Sequence, residues 1–308
     1  MTNKRLALFT APKPFKDDHI SIIQTNAFSS WQALGDSVEV IVLGNDEGVA
    51  EVTKEFGFKH LPDVACNEKG TPLISSMIEL TRQNSDCPYL CIVNTDIILF
   101  SDLLEALENA ARPLKNFLLI GQRWDMDVTE HLPSGAENFD RFKSEVLSKG
   151  KLHPPMGSDY FLFPRDCYRA IPDLAIGRAG WDNWFIFKSR FEDWPVIDAT
   201  HDVVIVHQNH DYRHLPGGQP HYRLPETKQN VERGGGEHTI FTIADAQFNL
   251  VDGKLVRKPF SIRRFLRELE IFPLTSLKST PLGKLFYLVF HPRKAYQALM
   301  SWIKGNRD

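Results

Sequence analysis

The stretch Tyr89-Leu90-Cys91-Ile92-Val93-Asn94-Thr95-Asp96-Ile97-Ile98-Leu99 places one carboxylate between two apolar runs. Its first five residues form a short, continuous apolar run with β-branched side chains, which is typical of a strand buried on both faces. Asp96 follows the carboxyl end of that strand, where ligands bind in open α/β sheets. We therefore expect Asp96 to face a ligand, and its carboxylate suits a cation. The alternative is a helix-capping role, although Ser101 is the better N-cap for the next helix.

Strands and helices alternate on the amino-terminal side of this stretch. Residues 5–10, 38–43 and 58–61 have the pattern of strands, and the predicted helices cover 19–34, 47–56 and 72–84, the last beginning at Pro72. This order with short connections is typical of a three-layer α/β/α domain, whose mostly parallel sheet carries helices on both faces.

The alternation continues on the carboxyl-terminal side. A helix is predicted over 102–112 and another over 181–191, and strands are predicted over 117–121, 159–164, 195–198 and 203–206. Residues 123–156 show no clean period, so they are predicted to be a long loop, either a lid or a partly disordered segment.

Composition is that of an ordinary globular chain. Its 308 residues are 42% hydrophobic and 24% charged. The four cysteines have neither a zinc-site spacing nor a disulfide framework, so we expect buried, reduced thiols. The sequence shows no secretory signal and no run of the roughly 20 apolar residues that a membrane span needs. A cytoplasmic location is the expectation.

The charge is distributed unevenly. Residues 254–308 hold twelve Lys and Arg against three acids, a net charge of +9 in a chain whose net charge is −3. Apolar residues alternate there with basic ones, which suits an anionic membrane surface where lipid-linked acceptors would lie. The alternative is helices packed on the rest of the chain. We predict a main domain over 1–252 and a basic, amphipathic, helical extension over 253–308. Nucleic acid is not an expected partner, because the aromatic residues have core spacing.

Several enzyme classes are excluded by missing motifs. No Gly-x-Gly-x-x-Gly opens the first helix and no Gly-x-x-x-x-Gly-Lys-Ser/Thr occurs, which argues against Rossmann dehydrogenases and P-loop nucleotidases. There is also no Gly-x-Ser-x-Gly elbow of an α/β-hydrolase.

Three motifs together resemble the GT-A glycosyltransferases, in particular the inverting enzymes related to family 2. They are Asn94-Thr95-Asp96 after a strand, Gly180-Trp181-Asp182-Asn183 at a helix start and His207 at the end of a late strand. Their order and spacing match that fold over about two-thirds of the chain. The resemblance implies a nucleotide-sugar donor, a saccharide or lipid-linked acceptor, and Mn²⁺ or Mg²⁺ bridging the donor phosphates. The family motif is usually Asp-x-Asp, and Asn94 is a neutral departure from it.

Candidate metal ligands are Asp96 together with His207 or His210. Divalent Mg²⁺ and Mn²⁺ prefer oxygen ligands, and Mn²⁺ also accepts imidazole. A lone histidine can equally be structural, and His207, His210 and His214 could instead bind zinc.

Asp182 is the candidate general base by resemblance, since an inverting transfer needs one carboxylate near the acceptor hydroxyl. The alternative is an acid placed at a helix N-terminus for the helix dipole. Trp181 offers a flat face for an acceptor sugar ring, or else a core side chain. Asp159 and Arg123 are the other predicted acceptor contacts.

Donor-binding residues are predicted from topology alone. Thr10, Ala11, Pro12, Asn45 and Asp46 follow the first two strands. Gly70 and Thr71 are expected to present a helix N-terminus to the diphosphate, and Asn94, Thr95 and Asp96 complete the donor set. Each of these residues can equally serve only to form a turn of the backbone.

The expected function is therefore transfer of a sugar from a nucleotide donor to a hydroxyl. A sugar nucleotidyltransferase of similar fold and a catalytically silent sugar- or partner-binding domain are the alternatives.

Overall fold

A central sheet with helices on both faces organises the chain. The structure is a computed structural model that describes residues 4–156, 158–210 and 221–305. The strands are β1 (Leu6–Thr10), β2 (Val38–Leu43), β3 (Lys59–Leu61), β4 (Tyr89–Val93), β5 (Ile97–Leu99), β6 (Leu118–Ile120), β7 (Trp124–Met126), β8 (Lys151–Leu152), β9 (Tyr160–Pro164), β10 (Val196–Asp198), β11 (Ile205–Gln208), β12 (Phe248–Val251) and β13 (Lys254–Arg257). The helices are α1 (Asp18–Gln32), α2 (Val49–Glu55), α3 (Ile74–Asn84), α4 (Asp102–Ala111), α5 (Ala136–Lys149), α6 (Trp181–Phe191), α7 (Pro225–Arg233), α8 (Ile262–Thr275), α9 (Thr280–Phe290) and α10 (Pro292–Gly305).

Within the described residues, nine strands form the main sheet in the order β13-β12-β10-β6-β9-β4-β1-β2-β3. Neighbouring strands are parallel except for β9, which runs antiparallel to both β4 and β6, and the edge strand β13, which runs antiparallel to β12. The predicted fold class, a mostly parallel sheet in a three-layer α/β/α domain, is confirmed.

Strand β4 is buried on both sides, as its apolar run predicts. Leu90 and Ile92 pack into one hydrophobic cluster, whereas Cys91 and Val93 pack into a second cluster on the opposite face. The first cluster includes side chains of α3 and α6, and the second includes side chains of α1 and α4. The strand that leads to Asp96 is therefore packed between two hydrophobic clusters.

A smaller sheet lies beside the turn that carries Asp96. Its order is β5-β11-β7-β8, with β11 antiparallel to β5 and parallel to β7. The register pairs His207 with Ile97 on one side and with Asp125 on the other. Through this pairing, His207 near the end of β11 lies beside Ile97, the residue that follows Asp96.

Residues 123–156 are not the long loop that the sequence predicted. They contain β7, β8 and the fourteen-residue helix α5. One face of α5 buries Phe139, Phe142 and Val146, which belong to a cluster with Ile98 and Val206. Three apolar residues at helical spacing are enough to dock this helix, although charged residues surround them in the sequence.

The start of the third helix also differs from the prediction. The helix begins at Ile74, and Pro72 instead forms an isolated β-bridge with Cys66. None of the four cysteines is in a disulfide, as expected, but Cys66 is exposed whereas the other three are buried.

The carboxyl-terminal residues contact the main sheet. The predicted boundary at 252–253 lies in the turn of the β12–β13 hairpin, and Ile271 and Leu274 of α8 are buried in the same cluster as β4 side chains. The division into two regions stays a prediction. Among the described residues, no helix is both long enough and apolar enough to cross a membrane.

Candidate active site

The three predicted metal ligands lie together at the carboxyl end of β4. His210 Nε2 is 3.0 Å from Asp96 Oδ2, and His207 Nε2 is 3.9 Å from the same oxygen. One ligand atom from each of Asp96, His207 and His210 lies within 4.8 Å of the others. The two histidines lie more than a hundred positions after Asp96 in the sequence, and the β5–β11 pairing brings them to it.

Gln208 hydrogen-bonds the backbone that carries Asp96. It is fully buried, and its side-chain amide donates to the carbonyls of Ile23 (2.7 Å) and Asp96 (3.2 Å). Its oxygen accepts from Asn26 Nδ2 of α1 at 3.0 Å. A buried amide with its donors and acceptor satisfied fixes the backbone at Asp96. The sequence analysis missed Gln208, which follows His207 directly.

The electrostatics of the cluster favour a charged Asp96. Burial by itself would raise the pKa of the Asp96 carboxyl, but the hydrogen bond from His210 and the nearby His207 and Lys13 hold that pKa well below its usual value. Burial lowers the pKa of His207. An ionised carboxylate beside a neutral imidazole is the protonation state that metal ligation requires.

The donor set fits a divalent cation. Oδ1 of Asp96, among the described residues, is buried without a hydrogen-bond partner. Such orphaned polar atoms are uncommon in buried sites, and one carboxylate with two imidazoles is a set that Mn²⁺ accepts. A cation held here would act as a Lewis acid on a diphosphate leaving group. The zinc alternative included His214, which lies outside the described residues.

Lys13 is a member of this cluster that the sequence analysis did not identify. Its Nζ lies 3.3 Å from His210 Nε2 and 3.9 Å from Asp96 Oδ2. Burial lowers the pKa of Lys13, whereas the charge of Asp96 acts in the opposite direction. The ammonium is next to the same oxygen and nitrogen that a metal would use, so a metal can bind those atoms only if Lys13 moves. Its position between Pro12 and Pro14, directly after β1, was the available signal.

A second group of polar side chains extends the site toward Arg123. Asp159 is buried, and its two oxygens accept from Asn94 Nδ2 at 2.7 Å and from Arg123 at 2.8 Å. Arg123 also donates to Asp125 Oδ1 at 2.9 Å, and Asp125 Oδ1 lies 3.6 Å from His207 Nδ1. Asn94, the neutral departure from the family motif, thus orients Asp159.

Asp182 lies in the first turn of α6, after a left-handed Gly180. Its Oδ1 accepts a hydrogen bond from the Gly180 N–H at 3.0 Å. Burial raises the pKa of Asp182 to about 6, although the backbone N–H groups of Asn183 and Gly180 oppose that shift; the negative charge of Asp159 adds to it. A carboxylate with its pKa near neutrality can take a proton at physiological pH.

Gly180 must be glycine for two reasons. Its φ is +105°, and a Cβ there would lie 3.1 to 3.2 Å from Asn230 and Val231 of α7. Asn230 bonds the backbone of Ala175 and Arg178. The start of α6, and with it Asp182, is therefore fixed against α7.

Trp181 does not present a face to a sugar. Only 3% of its surface is exposed, and its ring packs against Phe161, with centroids 4.8 Å apart, and against Phe185. The burial of Trp181 contradicts the predicted acceptor contact, because the indole is a member of the hydrophobic cluster that also contains Phe161 and Phe185. The core alternative is the one observed.

Replacing Trp181 with Ala is therefore expected to reduce the free energy of unfolding by about 3–5 kcal/mol, the usual cost of emptying a buried aromatic site. Urea denaturation followed by circular dichroism measures this. Phe260→Ala is the control, because Phe260 is 78% exposed and its replacement is expected to change stability by less than about 0.5 kcal/mol. Unchanged stability in Trp181→Ala would contradict the core assignment.

The predicted donor residues differ in how exposed their side chains are. Thr10 is buried and its hydroxyl donates to the Val93 carbonyl at 2.6 Å, so this side chain ties β1 to β4. Asn45 and Asp46 are exposed after β2, and burial raises the pKa of Asp46. Thr95 is buried beside Asp96, Pro12 is buried and Ala11 is partly buried.

Gly70 and Thr71 do not form a helix N-terminus, because α3 begins at Ile74. Their N–H groups donate to Asn67, and the Thr71 hydroxyl donates to Glu226 Oε1 at 2.7 Å. Arg178 Nε donates to the other oxygen of Glu226 at 3.0 Å. This buried Glu226 network joins the loop before α3 to α7, and the sequence analysis missed it.

Comparison with known proteins gives matches among solved structures. Neither a protein-family model nor a curated protein matches the chain. Glucosyl-3-phosphoglycerate synthase from Mycobacterium tuberculosis, in complex with Mn²⁺, uridine diphosphate and glucosyl-3-phosphoglycerate, is 14% identical with a TM-score of 0.46, over 84% of this chain and 88% of that chain.

Two further matches cover less. Mannosyltransferase PcManGT from Pyrobaculum calidifontis, in complex with GDP-Man and Mn²⁺, is 12% identical with a TM-score of 0.41, over 66% of this chain and 56% of that chain. S. aureus TarS 1-349 is 10% identical with a TM-score of 0.32, over 42% of this chain and 38% of that chain. Identities and TM-scores this low carry no argument about the chemistry of the site, which therefore rests on this chain's own residues. The similarity to these three structures is one of fold alone.

Proposed function

We propose that this protein is a glycosyltransferase that moves a sugar from a nucleotide-sugar to an acceptor hydroxyl, with inversion and with the help of Mn²⁺ or Mg²⁺. The observation that carries the proposal is the convergence of Asp96, His207 and His210 at one strand end. Asp182 of α6 is a carboxylate whose pKa is raised to about 6, mainly by burial and in part by the charge of Asp159. The sequence resemblance to GT-A enzymes supports the same reaction.

The proposed reaction develops negative charge on the leaving diphosphate and removes a proton from the acceptor hydroxyl. As the glycosidic bond breaks, negative charge grows on the diphosphate, and a cation held by Asp96 and the histidines would stabilise it. On the acceptor side, Asp182 takes the proton of the attacking hydroxyl, whose oxygen forms the new bond to the anomeric carbon. Asp159 and Arg123 hydrogen-bond the acceptor in this proposal, because they form an ion pair and the charge of Asp159 acts on both Asp182 and His207.

The acceptor in this proposal is a saccharide or a lipid-linked sugar, and the donor diphosphate contacts Lys13 and a cation held by the Asp96 cluster. Asn45 and Asp46 remain candidates for contacts to the base or ribose, since they are exposed after β2. Ala11 and Pro12, at the end of β1, are the remaining candidates for the base.

A screen of nucleotide-sugars tests the proposal. Purified protein is incubated with UDP-, GDP-, ADP- and dTDP-sugars with Mn²⁺, and the release of nucleoside diphosphate is measured with and without saccharide acceptors. We expect release from one donor class, dependent on the divalent cation, and a rise in the melting temperature with the matching nucleotide.

Two outcomes would overturn the proposal. Exchange of pyrophosphate into the nucleotide-sugar would favour the nucleotidyltransferase. A rise in melting temperature without turnover of any donor would favour the silent binding domain.

A further inference from the structure

The carboxyl-terminal helices expose an unusual amount of apolar surface. In α8 the exposed side chains recur at helical spacing along one stripe: Ile262 (73% exposed), Phe265 (54%), Leu266 (46%), Leu269 (43%) and Phe272 (46%). The next two helices continue this pattern with Leu282, Leu285 and Val289, then Tyr296, Leu299 and Met300. Large apolar side chains that stay exposed along a helix in this number mark an interaction site.

The stripe is not the face by which α8 packs on the protein. That face carries Ile271 and Leu274, which are buried in the main core. The close approach of α9 to this face depends on Gly283, where a Cβ would clash with the Leu274 side chain. The helix therefore has one apolar face for the domain and a second one that faces outward.

Charge distinguishes this outward face from an ordinary protein interface. Between residues 254 and 300 the only acids are Glu268 and Glu270, and both are held in ion pairs with arginines. Basic residues such as Arg263, Lys284 and Arg293 are exposed. Although the Glu268 side chain is 38% exposed in its ion pair with Arg190, the unpaired exposed charges named here are positive, which complements an anionic surface.

We propose that the exposed face of α8, continued by α9 and α10, docks the protein on an anionic lipid bilayer, with the apolar stripe in the headgroup region. An outward apolar stripe flanked by Lys and Arg is the pattern of helices that lie in a membrane interface. A second copy of the chain would bring two surfaces of like charge together, so it fits these observations less well. This docking does not depend on the proposed sugar transfer.

Vesicle flotation of the full chain tests the proposal. We expect binding to vesicles of equal parts phosphatidylcholine and phosphatidylglycerol, weaker binding at high salt, and little binding to phosphatidylcholine alone. The double variant Phe265→Ser and Leu269→Ser should lower the partition coefficient at least about tenfold. Arg263→Gln and Lys284→Gln should each lower it about fivefold, from about 1 kcal/mol per basic residue near the surface.

Matched controls come from exposed residues outside these three helices. Leu147 is 50% exposed on α5, and Leu147→Ser should leave flotation unchanged, as should Lys69→Gln at an exposed site. All variants should keep the wild-type melting temperature, because each changes an exposed side chain. Absence of binding to the anionic vesicles would overturn the proposal. So would a dimer in analytical ultracentrifugation that the double variant abolishes, since the face would then be covered by a second copy.

Discussion

Replacing Asp182 with Asn is expected to reduce kcat by about 10²- to 10⁴-fold, the usual contribution of a positioned general base. The amide keeps the shape of the side chain and can still accept the Gly180 N–H hydrogen bond, so the helix start should remain in place. Donor affinity, measured from the thermal shift with nucleotide and Mn²⁺, should stay within about threefold, because the variant alters only proton transfer.

The pH dependence gives a second test of the same residue. The base works only when its carboxylate is ionised, and burial raises its pKa to about 6. Activity should therefore fall as the pH decreases through about 6, and the residual activity of Asp182→Asn should lack that acid limb. If the limb persisted in the variant, another group would be responsible for it.

Asp193→Asn is the matched control for both measurements. Asp193 follows the other end of the same helix and is 75% exposed in an ion pair with Lys278. Its replacement should leave kcat and the pH profile unchanged, since exposed ion pairs contribute little. Equal losses in both variants would point to a general effect on α6, and full activity in Asp182→Asn would refute the base assignment.

Asp96→Asn is expected to weaken Mn²⁺ binding more than about 100-fold, because even the outer partners of metal ligands are worth about 10- to 100-fold. Turnover should fall by at least about 10²-fold, since a Lewis acid contributes several kcal/mol and each 1.36 kcal/mol is a factor of ten. Electron paramagnetic resonance of a Mn²⁺ titration measures the first effect, and donor turnover measures the second.

Asp63→Asn, at an exposed loop position, is the control for a change of one charge and should match the wild type. Unchanged turnover in Asp96→Asn, at all Mn²⁺ concentrations, would mean that the cluster does not hold a catalytic metal. His207→Gln should show a smaller loss of Mn²⁺ affinity, because an amide oxygen can still ligate the ion.

The parts of the fold that the sequence predicts are those with a strong local pattern. The apolar run of β4 gives its bounds correctly, and helix α6 begins at Trp181 and ends at Phe191 as predicted. Helix α5 was missed because only three apolar residues mark its buried face, and the charges between them hide the period. Pro72 was placed at a helix start from propensity, whereas its bridge to Cys66 is a tertiary contact.

The candidate site divides in the same way. Asp96, His207 and His210 were named from the sequence because they lie at or just beyond the ends of two apolar strands, β4 and β11. Lys13 and Gln208 were missed because their importance comes from contacts to residues more than a hundred positions away along the chain. Trp181 was ambiguous in sequence, since an indole beside a polar motif serves a core and a sugar equally well.

The ammonium group of Lys13 serves as a positive counter-ion to Asp96 inside the cluster. An incoming divalent cation alone must displace the ammonium from Asp96 and His210 and leave it without an anionic partner. A nucleoside diphosphate that arrives with the cation supplies that partner through its phosphate oxygens. Metal and nucleotide should therefore each raise the affinity for the other, a coupling that is reciprocal by linkage. The lysine would keep the pocket from retaining a metal ion until a donor is there to use it.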